Sequence, residues 1–251
     1  MWRVLFANKG EIMFFRKKKQ KQVDYNNLPK HIAFICDGNR RWARNRGLPT
    51  LLGHKEGVEA IKRIVRRASE IGMENLTFFC FSTENFDRSK EEVDYLFNLF
   101  RELLTLKENF LQHDYRFHHT GDRSMLPKDI LDVIDSMTKE TAHCKKGTVN
   151  LAFAYGGRND IVNATKRIIN EKVKPEDITE ESFKNYLTTG EMPDVDLLVR
   201  TSGEKRISGF LLYNMPYAEL YFVEKHWPSF KETDLDDCIG EFQSRHRRFG
   251  K

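Results

Sequence analysis

The chain predicts an α/β domain in which a mainly parallel sheet is covered by helices on both faces. Two observations carry this. From Pro29 onward short apolar runs alternate with stretches of helical period, and that alternation implies strands joined by helical crossovers. Several of the runs also read as buried strands, apolar almost throughout. At 251 residues the chain is long enough to bury a full core, as one large domain or two small ones.

The first 24 residues stand apart as an N-terminal extension, with residues 25–251 forming the domain proper. MWRVLF and IMFF precede RKKKQKQ, and residues 1–22 hold seven basic groups against Glu11 alone. They carry a charge of +6, so the body is close to neutral, which argues against a nucleic-acid binder. Apolar bulk beside a lysine cluster suits an anionic membrane surface, at about 1 kcal/mol per basic group. A flexible solubilising extension, or translation starting at Met13, fits the same residues.

HIAFICD reads as the first strand of the domain. Residues 55–71 follow as a helix with Val58, Ile61, Val65 and Ala68 on one face. NLTFFCFS is the next strand, then an amphipathic helix from Ser89 to His113 carrying Val93, Leu96, Leu99, Phe100, Leu103 and Leu104. YRFHH, a helix over 127–143, VNLAFAY, a helix over 158–171, DLLVRT and FLLYN complete the alternation. No apolar run reaches the roughly 18 residues of a membrane span, and no signal-peptide pattern is present. Cys36, Cys80, Cys144 and Cys238 form no CxxC pair, so reduced thiols in a cytoplasmic protein are expected.

In such sheets ligands bind at the carboxyl ends of strands. Asp37-Gly38-Asn39-Arg40-Arg41 follows the first strand, and Ser82-Thr83-Glu84-Asn85 with Arg88 follows the second. A later strand leads into Arg200, Thr201, Ser202, Gly203, Glu204, Lys205, Arg206, Ile207 and Ser208. Arg41, Arg88, Arg200 and Arg206 would thus share one rim, and a guanidinium fork suits phosphate oxygens. Gly38 permits close backbone approach, and a helix starting at Asn39 aims N–H groups at an anion. Asp37 among these cations makes sense as a Mg²⁺ ligand, since Mg²⁺ is commonly held by one or two carboxylates plus substrate phosphate.

Each feature has a plainer reading. DGN is a common turn, arginines at strand ends often make ion pairs, and His54 in GHKEG could cap a helix. His118-His119 reads as a strand edge, and Glu219 in AELYF as a satisfied acid beside the core. Together, four arginines and two acids at related positions point to a diphosphate and its metal. No GxxxxGK[ST] loop and no GxGxxG after the first strand are present, and Asp236-Asp237 is too isolated for a paired-aspartate motif.

At these residues the sequence resembles the cis-prenyltransferase family, the undecaprenyl diphosphate synthases and their relatives. HIAFICDGNRRWA, GHKEG, FSTENFDRS, YGGRNDI, RTSGEKRISGFLL, YAELYF and the RRFG ending carry the likeness from about residue 28 onward. The resemblance implies a six-stranded parallel sheet, a homodimer, and an apolar tunnel for a prenyl chain. The helix from Leu96 to Leu111 and the runs FFCF and VNLAF are candidates to line that tunnel. It implies Mg²⁺-dependent condensation of isopentenyl diphosphate with a farnesyl or shorter allylic diphosphate, giving a polyprenyl diphosphate of undecaprenyl type. The reduced cysteines lead to the expectation of a cytoplasmic protein, peripheral to the inner face of the membrane if residues 1–22 bind lipid.

By that resemblance Asp37 is the metal-binding catalytic acid and Glu219 the second metal ligand. Gly38, Asn39, Arg40, Arg41 and His54 cradle the allylic diphosphate, with Trp42 beside the chain. Arg200, Arg206 and Ser208, with Ile207 between them, hold isopentenyl diphosphate. Asn85, within Ser82-Thr83-Glu84-Asn85, matches the position assigned as proton acceptor, with Phe86 and Arg88 beside it. An amide is a poor base, so Asn85 is read as an orienting group, with released diphosphate as a candidate base. Thr50 stands where many bacterial members carry arginine, and Arg40 where many carry glycine, which bears on the allylic substrate. A non-catalytic partner subunit, and irregular coupling of two short allylic diphosphates, are the alternative readings.

Overall fold

A computed structural model describes residues 3–6, 12–15, 23–105 and 107–247. Within the N-terminal extension, β1 (Arg3–Phe6) pairs antiparallel with β2 (Ile12–Phe15), separately from the main sheet. Its basic cluster, residues 16–22, lies outside the described residues.

The main sheet comprises β3 (His31–Ile35), β4 (Asn75–Ser82), β5 (Tyr115–Thr120), β6 (Gly147–Tyr155), β7 (Leu197–Arg200) and β8 (Glu219–Phe222). Its order is β5-β6-β4-β3-β7-β8 and every pairing is parallel. The helices are α1 (Asn39–Arg44), α2 (Thr50–Ile71), α3 (Lys90–Thr105), α4 (Lys107–Gln112), α5 (Lys128–Thr141), α6 (Gly157–Asn170), α7 (Glu180–Lys184) and α8 (Glu232–Gln243). The six-stranded α/β fold expected from the sequence is therefore present.

Alternation along β3 separates two cores. Ile32 and Phe34 face the larger, with Leu76 and Phe78 of β4, Ile61 and Ile64 of α2, and Trp227 and Phe230. Ala33 and Ile35 face the smaller, with Ala152, Leu198 and Phe210. Both faces of β3 are sealed, so all five of its residues are apolar or internally bonded. His31 is the polar one, and its ring bonds the Pro193 carbonyl and Thr77 Oγ1, each at 2.8 Å.

One expectation changes. The FLLYN segment is not a strand: it turns, with Leu211 at φ 44°, and packs Phe210 and Leu211 under the sheet's smaller core. The sixth strand is β8, begun where the Glu219 N–H bonds the Asp196 carbonyl at 2.8 Å. The predicted helix over 89–113 is present as α3 and α4, and residue 106 between them lies outside the described residues. Among the described residues no helix is long and apolar enough to cross a membrane.

The order of the sheet locates the ligand crevice. From β3 the chain moves to β4 on one side and later returns to β7 on the other. Strand order thus reverses at β3, and the carboxyl ends of β3 and β7 flank a topological switch point.

Candidate active site

Asp37 stands at that point. The backbone turns sharply after β3, with the Asp37 N–H on the Ile35 carbonyl at 2.9 Å and Gly38 at φ 102° before α1. A Cβ on Gly38 would fall 1.9 Å from Ser202 Oγ and 2.7 Å from His226 Nδ1. The missing side chain lets the Thr201–Gly203 turn close against the strand end, where Thr201 and Ser202 donate to the Asp37 carbonyl at 2.7 and 3.1 Å.

Both Asp37 carboxylate oxygens meet guanidinium groups, Oδ2 with Arg200 at 3.0 Å and Oδ1 with Arg41 at 3.2 Å. Arg200 is buried and also donates to the Arg206 carbonyl at 2.6 Å and to Ser208 Oγ at 2.8 Å. Glu204 bridges Arg41 and Arg206 at 3.0 and 2.6 Å, and these partners hold its carboxyl below the usual range, Arg206 foremost.

A second cluster faces the first. His54, buried in α2 rather than capping it, bonds Glu92 of α3 at 3.1 Å. The same carboxylate takes Arg88 at 3.0 Å and lies 3.7 Å from Arg40. Burial lowers the His54 pKa against the opposing pull of Glu92. Sequence reasoning missed Glu92, because Ser89-Lys90-Glu91-Glu92 reads as a helix-capping box. Ser89 Oγ does accept from the Glu92 N–H at 3.4 Å, but the Glu92 carboxylate serves the arginines instead.

Between the clusters lies a cleft of about 470 Å³. Asp37, Gly38, Asn39, Arg40 and Arg41 line it from the β3–α1 side. His54, Ser82, Asn85 and Arg88 line the opposite wall, and Arg200, Arg206 and Ser208 close the third side. Asn39 Oδ1, against Gly57 of α2, and Arg200 Nε are buried without a hydrogen-bond partner. Asn85 Oδ1 accepts from the Ser82 N–H at 3.1 Å, so its amide NH₂ is the end left for the cleft. Cys36, Phe79 and Cys80 continue from the cleft into an apolar cavity of about 60 Å³, walled by Val58, Ile61, Leu96, Leu99, Phe100 and Leu103. Burial raises both thiol pKa values, Cys80 to about 12.

Six sequence candidates stand outside the cleft lining. Trp42 donates to Ser229 Oγ at 2.8 Å with the Arg46 guanidinium over its ring, and Phe86 packs edge-on to Phe81 and Phe97. Thr83 sits against Gly156, Glu84 is exposed, and Ile207 joins the smaller core. Glu219 is not brought to Asp37 within one chain. It pairs in register with Leu197, at the amino end of β7, about 10 Å back along the strands from the Arg200 level. There it binds Arg245 at 2.7 Å.

An α/β sheet with a guanidinium-lined diphosphate-sized cleft opening onto an apolar cavity defines a class, enzymes that act on prenyl diphosphates. Comparison narrows it. The family model described as "Putative undecaprenyl diphosphate synthase" matches residues 35–250. An isoprenyl transferase of Listeria innocua is 40% identical over 255 residues, covering 100% of this chain and 99% of its own. A tritrans,polycis-undecaprenyl-diphosphate synthase (geranylgeranyl-diphosphate specific) of Pyrococcus furiosus is 45% identical, covering 89% and 88%. Among solved structures, lavandulyl diphosphate synthase from Lavandula x intermedia, in complex with dimethylallyl diphosphate, superposes with TM-score 0.85 at 39% identity over 89% and 99% of the two chains. A probable undecaprenyl diphosphate synthase from Campylobacter jejuni superposes with TM-score 0.75 at 35% identity over 90% and 100%. The chain belongs to the undecaprenyl diphosphate synthase family of cis-prenyltransferases. It is a transferase of prenyl groups, acting in prenyl diphosphate synthesis.

Proposed function

We propose that the protein elongates an allylic diphosphate, farnesyl or shorter, with isopentenyl diphosphate to a polyprenyl diphosphate of undecaprenyl type. The observation that carries this is the continuity of the cleft with the apolar cavity through Cys36, Phe79 and Cys80. A diphosphate head beside Asp37 would have its hydrocarbon directed into that cavity. Each buried CH₂ contributes about 0.8 kcal/mol, so a five-carbon unit adds up to about 4 kcal/mol of chain binding.

In this reading Arg200, Arg206 and Ser208 hold isopentenyl diphosphate, and Arg40, Arg41, Arg88 and His54 hold the allylic diphosphate. Charge builds on the departing diphosphate in the transition state, so preorganised guanidinium groups stabilise that state more than the ground state. With its Oδ1 taken by the Ser82 N–H, Asn85 offers the cleft an NH₂ that cannot take a proton, which supports an orienting role and leaves diphosphate as the proton acceptor.

The donor set fits Mg²⁺: the Asp37 carboxylate offers hard oxygen ligands on the cleft. Among the described residues no cluster of three His, Cys, Asp or Glu forms a closed site, which suits a metal sharing its ligands with substrate phosphates. Such a metal would supply charge neutralisation of the leaving diphosphate. Glu219 could join it only from a second copy of the chain. A homodimer is part of this reading, supported by the exposed Tyr217 and Leu220 at the open edge of β8. Residues 1–22 would hold this dimer against an anionic membrane.

The likeness to a lavandulyl diphosphate synthase supports a second reading, coupling of two short allylic diphosphates. Mass spectrometry of products from labelled isopentenyl diphosphate with farnesyl, geranyl or dimethylallyl diphosphate separates the two. Elongation gives a ladder of five-carbon additions that chelation by EDTA abolishes and Mg²⁺ restores. Products formed only when isopentenyl diphosphate is omitted would overturn it.

A further inference from the structure

Cys36, directly after β3, and Cys80, inside the neighbouring β4, have no part in prenyl transfer and stand where the cleft passes into the apolar cavity. Ile35 pairs in register with Phe79, so the two cysteines follow as neighbours on adjacent strands. They also share a face. Phe34 and Phe78, two residues earlier on each strand, stack with ring centroids 5.1 Å apart and planes within 12°. Cys80 sits at an irregularity of β4, between Phe79 and Phe81, and both it and Cys36 pack against the larger core that holds Phe34 and Phe78. The sulfurs lie parallel as well, Cys36 Sγ 3.8 Å from the Phe34 carbonyl oxygen and Cys80 Sγ 3.5 Å from that of Phe78. Strands about 4.8 Å apart fall inside the ~4.4–6.8 Å of Cα separation over which two cysteines can be bridged. Both thiols are free, half-buried, and line both the cleft and the apolar cavity. Cys144 and Cys238 are buried elsewhere.

We propose that Cys36 and Cys80 form a dithiol site for a soft, thiophilic centre that needs two sulfur ligands, such as trivalent organoarsenic or Cu(I), and that filling it closes the passage from cleft to cavity. Soft centres select thiolates over the oxygen ligands beside them. With an organoarsenic(III) oxide two S–As bonds form, the As–O bond breaks, and the oxygen leaves with both thiol protons as water. Arsenic keeps its oxidation state, so no co-reactant is needed. The closure, unlike the binding, rests on the proposed path of the prenyl chain.

Phenylarsine oxide added to the full-length protein tests this by intact mass. One adduct per chain is expected, retained in excess 2-mercaptoethanol and removed by 2,3-dimercaptopropanol. Cys36→Ser and Cys80→Ser should each lose the monothiol-resistant adduct, while Cys144→Ser and Cys238→Ser keep it. Circular dichroism checks folding, and alanine variants replace any serine variant that fails it. No resistant adduct in the wild type, or one that survives in either the Cys36 or the Cys80 variant, overturns the site. Prenyl transfer should fall in proportion to the adduct and recover with the dithiol, and undiminished transfer by fully labelled protein overturns the closure. Labelling of a protein that transfers no prenyl group with any primer would leave the dithiol site standing and overturn the functional reading instead.

Discussion

Arg200 donates its Nη2–H to Asp37 Oδ2 at 3.0 Å, tying the carboxyl end of β7 to that of β3 at the point where strand order reverses. A buried guanidinium and a half-buried carboxylate, from residues 163 apart in sequence, thereby fix each other's position.

That pairing predicts separable effects at Asp37. Asp37→Ala should lower prenyl transfer at least about 100-fold, the scale of losing one preorganised electrostatic group. It should also lower Tm, since Arg200 loses its partner. Asp37→Asn keeps an acceptor for Arg200, so it should hold Tm near wild type while losing comparable activity. Steady-state rates and calorimetry on both variants check this, and full activity in either removes Asp37 from the chemistry.

Glu92 organises the opposite wall. Glu92→Ala would release Arg88 and His54 together, each held at about 3 Å. Charged hydrogen bonds are worth about 1.5–3 kcal/mol, so the KM for the allylic diphosphate should rise about 10–150-fold. The KM for isopentenyl diphosphate should move little, because Arg200, Arg206 and Ser208 do not touch Glu92. Equal increases for both substrates would count against two separate diphosphate subsites.

Two glycines with positive φ should behave differently. Gly38→Ala adds strain and a Cβ colliding with Ser202 and His226, whereas Gly72, at φ 82°, has open space around it. Left-handed strain alone costs about 1–2 kcal/mol, or about 2–8 °C in Tm for a chain of this size. Gly72→Ala should show that loss with transfer intact. Gly38→Ala should exceed it and inactivate, as thermal melts and rate assays would show.

His31 makes stability depend on pH. Burial, the main cause, lowers its pKa from 6.5 to about 4, although the Pro193 carbonyl works against it. Above pH 6.5 the ring is neutral folded or unfolded. As pH falls, the unfolded chain takes up a proton that the folded chain refuses, so stability drops until pH reaches about 4. From pH 7 to 5 this group alone should remove about 2 kcal/mol. Urea midpoints across that range should fall, and His31→Gln should flatten the slope.

The sequence by itself determined the local units and the chemistry of their ends. Period and burial are written in neighbouring residues, so HIAFICD, NLTFFCFS and VNLAFAY were legible as strands, and Asp37, Arg41, Arg88 and Arg200 as strand-end groups. ELYF was not, because an edge strand with one partner has no strong apolar pattern, while FLLYN looked strand-like and is buried at a turn. Only the tertiary structure decided which groups meet. Glu92 joined His54 and Arg88, Glu204 joined Arg41 and Arg206, Cys36 came beside Cys80, and Glu219 went to the far end of the sheet. Those outcomes follow from strand order and register, which are settled by packing between segments distant in the chain and leave no mark in the local pattern.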